Sequence, residues 1–336
     1  MDIYLFIYRN NSTYHIIKQN AYTSIATCKH DTISLDSNNS IHYIIMPDWL
    51  DTYVINLDRD STRMKQMHMM LKRYAIKYTR MPAIYGRSLT ADQINHVTTF
   101  VSRNLLCSYA MIGCALSHIN TYRVISNTGL KKWYLILEDD AIFTPNITSF
   151  LERFRQSPIY AMDNMYINLS MRKSFGRVVF DNSDTFMQSF VYPVFPSNNT
   201  AYLITHDVAT KLANYYRTHR IFYHIDVQNY LACDRLDVEY IGYKDESLID
   251  FTLADAESNI GETHSMTSRI LRIMGFNTAI FYLSGPVLTV GLKYSVNGYT
   301  ILFAIVFLLN HFVIHSNIIL LYLLIELVLL FISLAR

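Results

Sequence analysis

Five apolar residues in a row, Trp133-Tyr-Leu-Ile-Leu137, run straight into three acids, Glu138-Asp139-Asp140. An apolar run this short and unbroken reads as a strand buried on both faces, the kind found in the parallel sheet of an α/β fold. Its C-terminal end then delivers three carboxylates to one edge of that sheet. Like charges so close raise one another's pKa unless a cation neutralises them, and a divalent metal is the simplest such cation. Strand alternation would send Glu138 and Asp140 to one side and Asp139 to the other, so that two oxygens converge on Mn²⁺ or Mg²⁺ while substrate phosphates complete the shell. The plainer alternative is the start of a solvated loop before Thr144-Pro145.

The segments upstream supply the partners such a strand needs. Thr52-Tyr-Val-Ile-Asn-Leu57 is a β-rich apolar run, and Asp58-Arg-Asp-Ser-Thr62 offers turn and cap residues before Met64 to Arg73, where Met64, Met67, Met70 and Leu71 repeat at helical spacing. A short apolar strand entering a capped helix is the start of a nucleotide-binding βα unit. Tyr78 to Ile84 returns as a second strand, and Gly113 to Ile125 reads as a buried helix, apolar on more than one face. Residues 1–50 alternate apolar and polar residues in short runs, the pattern of a few strands and loops, and carry no motif. The expected domains are thus 1–50 as an extension, 51–265 as the α/β unit, 266–298 as a connection and 299–336 as a tail.

That tail has its own character. Residues 299–335 contain no Lys, Arg or Asp and one acid, Glu326. Ile318 to Ala335, at about 1.5 Å of rise per residue, spans about 27 Å, close to the roughly 30 Å hydrocarbon core of a bilayer. The expectation is a hydrophobic helical membrane segment, with a helical pair packed on the α/β unit as the alternative. Arg269, Arg272 and Lys293 before it would place the catalytic side toward the cytoplasm. Hydrophobic residues make up 51% of the chain and charged ones 17%, below the roughly 25% of soluble domains, which agrees with apolar surface meeting lipid.

Other classes are excluded by charge and cysteine usage. Lys+Arg 29 against Asp+Glu 27 leaves +2, too balanced for a chain that lives by gripping nucleic-acid phosphates. Cys28, Cys107, Cys114 and Cys233 lie far apart without CxxC spacing, so neither a structural zinc site nor a secreted disulfide scaffold is indicated. A reducing compartment fits them best. The N-terminal apolar run is too short for the core of a secretory signal.

Three motifs in order carry a resemblance. Tyr53-Val-Ile-Asn-Leu-Asp-Arg59 with Arg63, then Gly113-Cys-Ala-Leu-Ser-His118, then Leu135-Ile-Leu-Glu-Asp-Asp-Ala141, resemble glycosyltransferase family 25, over roughly Thr52 to Phe251. The resemblance implies an α/β, Rossmann-like GT-A fold, a UDP-sugar donor with galactose the expected sugar, a divalent metal (Mn²⁺ or Mg²⁺), and inversion at the anomeric carbon. Carried over by position, Asn56, Leu57 and Asp58 would line the uracil and ribose site, where open α/β sheets receive nucleotides. Arg59 and Arg63 would contact the diphosphate or cap the local helix. Ser117, His118 and Asp139 would lie near the donor, and Glu138 and Asp140 would hold the metal. A lone His on an apolar helix is otherwise a hydrogen-bonded core residue, and Cys114 reads as packing.

On the acceptor side, Ser197 to Thr205 followed by His206 to Ala213 resembles the family's strand and helix, and His224-Ile-Asp226 the segment in which an Asp opens a helix. Asp226 is the candidate general base, since an inverting transfer needs a carboxylate to take the acceptor proton. A plain helix N-cap is the alternative. His264 is a candidate third metal ligand, as a late His completes the shell in some GT-A enzymes. The chain departs from the family at Ile225, where a Pro is common, and in Lys244 to Asp250, which matches a late motif only loosely.

The expected activity is transfer of a hexose to a hydroxyl of a glycan, lipid-linked or protein acceptor by a membrane-tethered enzyme. Two rivals accompany it: a membrane-bound nucleotide-sugar-binding protein without turnover, and a metal-dependent phosphoryl or nucleotidyl transferase. The second should bring a Walker-type glycine loop or a second acidic pair, and no GxxxxGK[ST] occurs.

Overall fold

The structure is a computed structural model. It describes residues 49–128, 133–171, 176–180, 184–193, 198–245, 247–250, 266–274, 283, 286–290 and 294–334, together with four N-terminal strands. Those strands form two antiparallel hairpins, β1 (Leu5–Asn10) with β2 (Thr13–Lys18), and β3 (Asp31–Leu35) with β4 (Ile41–Ile45).

The apolar runs that read as strands meet at the centre of an eight-stranded sheet. β5 (Leu50–Asn56) lies between β6 (Thr79–Pro82) and β7 (Trp133–Glu138) and is parallel to both. Beyond β7 the sheet turns mixed. β12 (Ala201–Thr205) runs antiparallel between β7 and β9 (Met165–Asn168), β13 (Glu239–Tyr243) is parallel to β9, and β11 (Phe190–Pro193) and β10 (Gly176–Val178) close the edge antiparallel. This α/β, Rossmann-like mixed sheet is consistent with a GT-A fold.

Strand alternation divides the core into two layers. Val54, Trp133, Leu135 and Leu137 face one side with Met67 and Leu71 of α1 (Ser61–Arg73) and Phe150 and Phe154 of α4 (Asn146–Gln156). Tyr53, Ile55, Tyr134 and Ile136 face the other, with α3 (Tyr109–Ser126), α5 (His206–Thr218) and α6 (Ile225–Arg235). Helices on both faces explain why β7 shows no polar alternation at all. A short α2 (Ala91–Val97) precedes α3.

α3 starts where Ser108 caps it, its hydroxyl accepting the Met111 N–H at 3.2 Å. The helix then passes close to the loop after β6. A Cβ built on Gly113 would lie 2.5 Å from the Ile84 carbonyl oxygen and 2.7 Å from the Gly86 nitrogen, so only glycine permits this approach. Ser117 secures it, accepting the Ile84 N–H at 2.8 Å and donating to the Gly113 carbonyl at 2.7 Å.

The expectation of a membrane segment is corrected by the tail. Among the described residues no helix is long and apolar enough to cross a membrane. α8 (Gly298–Leu309) ends in a π-helical turn, Asn310–Ile314, and the left-handed His315 (φ 54°) breaks the run before α9 (Asn317–Leu334). Glu326, the acid inside that run, is 1% exposed and accepts Thr267 Oγ1 at 2.9 Å from α7 (Met266–Ile273). Burial of a carboxylate calls for such a partner, and here a neighbouring helix supplies it. The membrane partner and the membrane-associated, cytoplasm-facing placement were both inferred from a span, and they fall with it. β8 (Ile142–Phe143) pairs antiparallel with β14 (Ile249–Asp250), and β15 (Pro286–Val290) and β16 (Tyr294–Asn297) form a small hairpin just before α8.

Candidate active site

β5 and β7 end side by side, and their carboxyl ends bring Asn56 and the three acids together. β7 closes at Glu138, and the Ala141 N–H returns to the Glu138 carbonyl at 3.1 Å. Asp139 and Asp140 therefore sit in a turn, not in a strand, and do not alternate. Both reach toward Arg63 of α1, at 3.5 Å and 3.9 Å, while Glu138 faces α3.

Asp139 is fully engaged. Asn56 Nδ2 donates to its Oδ2 at 2.6 Å, and Arg63 Nη1 approaches its Oδ1. Asn56 is itself 2% exposed and has its polar atoms occupied: Nδ2 also reaches the Asp60 carbonyl at 3.1 Å, and Oδ1 accepts from Arg80 Nε at 2.9 Å. Arg80 Nη2 continues to the Asn56 carbonyl and to Asp58 Oδ1. Sequence reasoning missed Arg80, which pins the end of β5 from the neighbouring β6. Leu57 is half-buried at the same end, Asp58 is exposed, and Arg59 lies over the Tyr85 ring at 4.4 Å.

Asp140 is different. Its Oδ1 is buried and has no hydrogen-bond partner. Burial, with Glu138 and Asp139 repelling the charge, pushes its carboxyl up to about 7, and Arg63 only partly opposes this. Asp139 is raised by burial too, with Asn56 and Arg63 acting against it.

Glu138 meets a separate set of groups. His118, fully buried on α3, places Nε2 3.1 Å from Glu138 Oε1 and Nδ1 2.8 Å from the Tyr202 hydroxyl. Tyr202 lies 3.0 Å from the Tyr122 hydroxyl, which accepts from Asn229 Nδ2 at 2.7 Å, and Asn229 Oδ1 accepts from Tyr216 at 2.8 Å. The polar chain thus runs from the acidic turn through α3 and β12 to α5 and α6. Cys114, one helical turn before His118, stands 4.0 Å from Glu138 Oε1. Ligand atoms of Cys114, His118 and Glu138 all lie within 4.8 Å of one another and could hold a divalent metal ion. Burial and the charges of Glu138, Asp226 and Asp140 push the Cys114 thiol well above its ordinary range.

Asp226 stands in the first turn of α6, accepting the Asn198 N–H at 3.1 Å and the Val227 N–H at 2.9 Å. Asn198 adopts the left-handed conformation (φ 62°), and two residues on the Thr200 carbonyl accepts the Glu138 N–H at 2.7 Å. This loop carries Asp226 to the same end of the sheet as the acids. Ser117, by contrast, has donor and acceptor both spent within the α3 contact, and His264 lies outside the described residues.

The profile of glycosyltransferase family 25 (LPS biosynthesis protein) matches residues 50–228, more than half of the chain, so the chain belongs to that family. It is an enzyme of the glycosyl-transfer class. A comparison with curated proteins finds no match. Among solved structures the chain is similar to a glycosyltransferase involved in the glycosylation of the major capsid of PBCV-1, at 12% identity and a TM-score of 0.33, covering 58% of this chain and 81% of that one. It is also similar to a putative glucose-1-phosphate thymidylyltransferase from Bacillus anthracis, at 13% identity and a TM-score of 0.22, covering 54% and 76%.

Proposed function

We propose that this enzyme transfers a hexose, galactose being the expected one, from a UDP-sugar to a hydroxyl of a glycan or protein acceptor, with inversion, using Mn²⁺ or Mg²⁺. The observation that carries the reading is Asp140: a half-buried carboxylate whose Oδ1 is buried without a hydrogen-bond partner, beside two further acids and Arg63, at the carboxyl ends of parallel strands. Three acids against Arg63 leave the turn short of positive charge, and its oxygen donors suit a hard divalent cation. Glu138 and Asp140 would hold that ion. When bound, it would neutralise charge on the departing diphosphate.

The chain's own residues do the rest. The end of β5, with Leu57 and Asp58, receives the nucleoside, while Asn56 acts through Asp139, whose position it sets. Arg59 and Arg63 offer positive charge to the diphosphate. Asp226 takes the proton of the acceptor hydroxyl as its oxygen bonds to the anomeric carbon from the face opposite the breaking bond to UDP, so that the sugar is inverted and UDP leaves. Asp226's two backbone hydrogen bonds fix its direction and leave lone pairs for that proton.

The test is turnover of a UDP-sugar panel with Mn²⁺, together with the thermal midpoint in each donor. The reading expects UDP-sugar transfer that disappears in Asp140→Ala and stabilisation by UDP-sugar with metal. Stabilisation by nucleoside triphosphates in preference to UDP-sugars would instead favour phosphoryl transfer.

A further inference from the structure

The acidic turn offers oxygen donors on one side only. On its other side, Glu138 meets a cysteine and a histidine to which the proposed transfer assigns no step. Cys114 and His118 stand four residues apart on α3, so their side chains project from the same face one turn apart. Glu138 enters from the end of β7 and meets both, with Nε2 at 3.1 Å and Sγ at 4.0 Å from the same oxygen Oε1. Tetrahedral bonds of about 2.0 Å to nitrogen and oxygen and about 2.3 Å to sulfur place neighbouring ligand atoms about 3.3 Å (N···O) and about 3.5 Å (S···O) apart, so the nitrogen already stands at ligand spacing and the sulfur has to close in by about 0.5 Å.

The histidine is also held as a metal-binding histidine is held. Its other ring nitrogen is tied to Tyr202 at 2.8 Å, and Tyr202 is locked through Tyr122 and Asn229, all of them fully buried. An outer partner of this kind fixes ring orientation and directs Nε2 into the site. The charge at the site has the right sign as well: the Glu138 carboxylate touches both other donors, and Asp140 follows it two residues on. Negative charge so placed attracts a dication.

From this donor set we infer that Cys114, His118 and Glu138 form a site for a thiophilic transition-metal ion of the Zn²⁺ or Co²⁺ class, separate in its donors from the Mn²⁺ or Mg²⁺ position and sharing only Glu138 with it. Sulfur and imidazole select such ions over Mg²⁺, which requires oxygen. The three protein ligands leave a fourth position open. Binding replaces the Cys114 S–H bond by a bond from sulfur to the metal and releases that proton to solvent. Because one carboxylate serves both positions, an ion held by Cys114 and His118 withdraws Glu138 from the oxygen side. The inference rests on the proposed function only for that competition; the site itself stands on the three side chains.

Co²⁺ titration of the full chain tests it without an activity assay. The expected result is one equivalent bound, with a sulfur-to-cobalt charge-transfer band in the near ultraviolet that Zn²⁺ abolishes and Mg²⁺ does not. Cys114→Ser should lose the band and His118→Gln should weaken Co²⁺ binding at least tenfold, with each variant's circular dichroism compared with that of the parent to confirm folding. Alkylation followed by peptide mass mapping gives a second readout on the unaltered protein: Zn²⁺ should slow modification of Cys114, and Mg²⁺ should not. A Co²⁺ spectrum without a sulfur band, or alkylation of Cys114 indifferent to Zn²⁺, overturns the proposal. Either result leaves the UDP-sugar assay free to succeed, so the two readings fail separately.

Discussion

Glu138 and Asp139 are adjacent in the chain, yet they belong to two different environments. Asp139 is closed: Asn56 and Arg63 take its oxygens, and Arg80 in turn fixes Asn56. Glu138 is open: its neighbours are a thiol and an imidazole, and beyond them a buried chain of tyrosines leads to the helix that carries Asp226. Asp140 stands between, tied to Arg63 through one oxygen and unpartnered at the other. A saturated carboxylate shapes a site, whereas one with free valence can bind; the triplet therefore contains one clamp and two candidate ligands.

The largest effect should come from removing the unpartnered oxygen. If Asp140 helps to stabilise the leaving diphosphate, several kcal/mol of transition-state stabilisation are at stake, which at about 1.36 kcal/mol per tenfold is on the order of 10³ in rate. Asp140→Ala should thus lower kcat by about that factor, measured with UDP-sugar at saturating Mn²⁺. Retention of a tenth of the parent rate would mean that the turn's open side is not where charge develops.

The raised carboxyl also makes stability depend on pH. Asp140 keeps its proton to about 7 in the folded, metal-free chain, against 3.8 when exposed. The folded state then binds more proton than the unfolded one between those values, so the stability that this carboxyl contributes is fully present below 3.8 and is lost as pH rises through about 7. The slope is bounded by one proton, about 1.4 kcal/mol per pH unit. Thermal midpoints of chelator-treated protein should fall across that window, and Asp140→Asn should flatten the fall; a flat profile in the parent would count against the buried, cation-poor turn.

On the open side, Tyr202→Phe cuts the polar chain at its second link, where the Tyr202 hydroxyl meets His118 Nδ1. Outer partners of metal-bound histidines are typically worth about 10- to 100-fold in affinity. The expected loss in Co²⁺ affinity is of that order, with a smaller change in the KM for UDP-sugar. Equal losses in both would show that the tyrosines hold the fold of the whole site instead of aiming His118.

How much of this could be read from the sequence follows the same division. Local signals were legible: the apolar runs became β5 and β7, and the spacing of Met67 and Leu71 became the inner face of α1. The acids were found because they end an apolar strand. Their orientation was not, since alternation holds only while the strand lasts and β7 ends at Glu138. Partners brought by pairing across the sheet were equally hidden. Arg80 reaches Asn56 because β6 lies beside β5, and Tyr202 reaches His118 because β12 inserts antiparallel beside β7, neither of which local periodicity encodes. Cys114 looked like packing because its companions, Glu138 and Asp226, are distant in the chain. The tail misled for a related reason: its composition suits lipid, but the partner of Glu326 is Thr267, on another helix.

The smallest effect should fall on the clamp. Asp139→Asn keeps an acceptor for Asn56 Nδ2 but removes the charge facing Arg63, a pair only 18% and 11% exposed. A part-buried hydrogen bond to a charged group is worth about 1 to 3 kcal/mol, and the retained amide contact and relieved burial of charge offset part of that, leaving a loss of about 1 kcal/mol. The same change removes one of the two negative charges that raise Asp140, so Arg63 turns wholly to the remaining acid and the Asp140 titration moves down. Chemical denaturation gives the first quantity, and the pH dependence of the chelated variant gives the second. A downward shift with little loss of stability would establish Asp139 as the residue that sets its neighbour's charge; an unchanged Asp140 titration would mean that burial alone raises it, and that the clamp and the open side act independently.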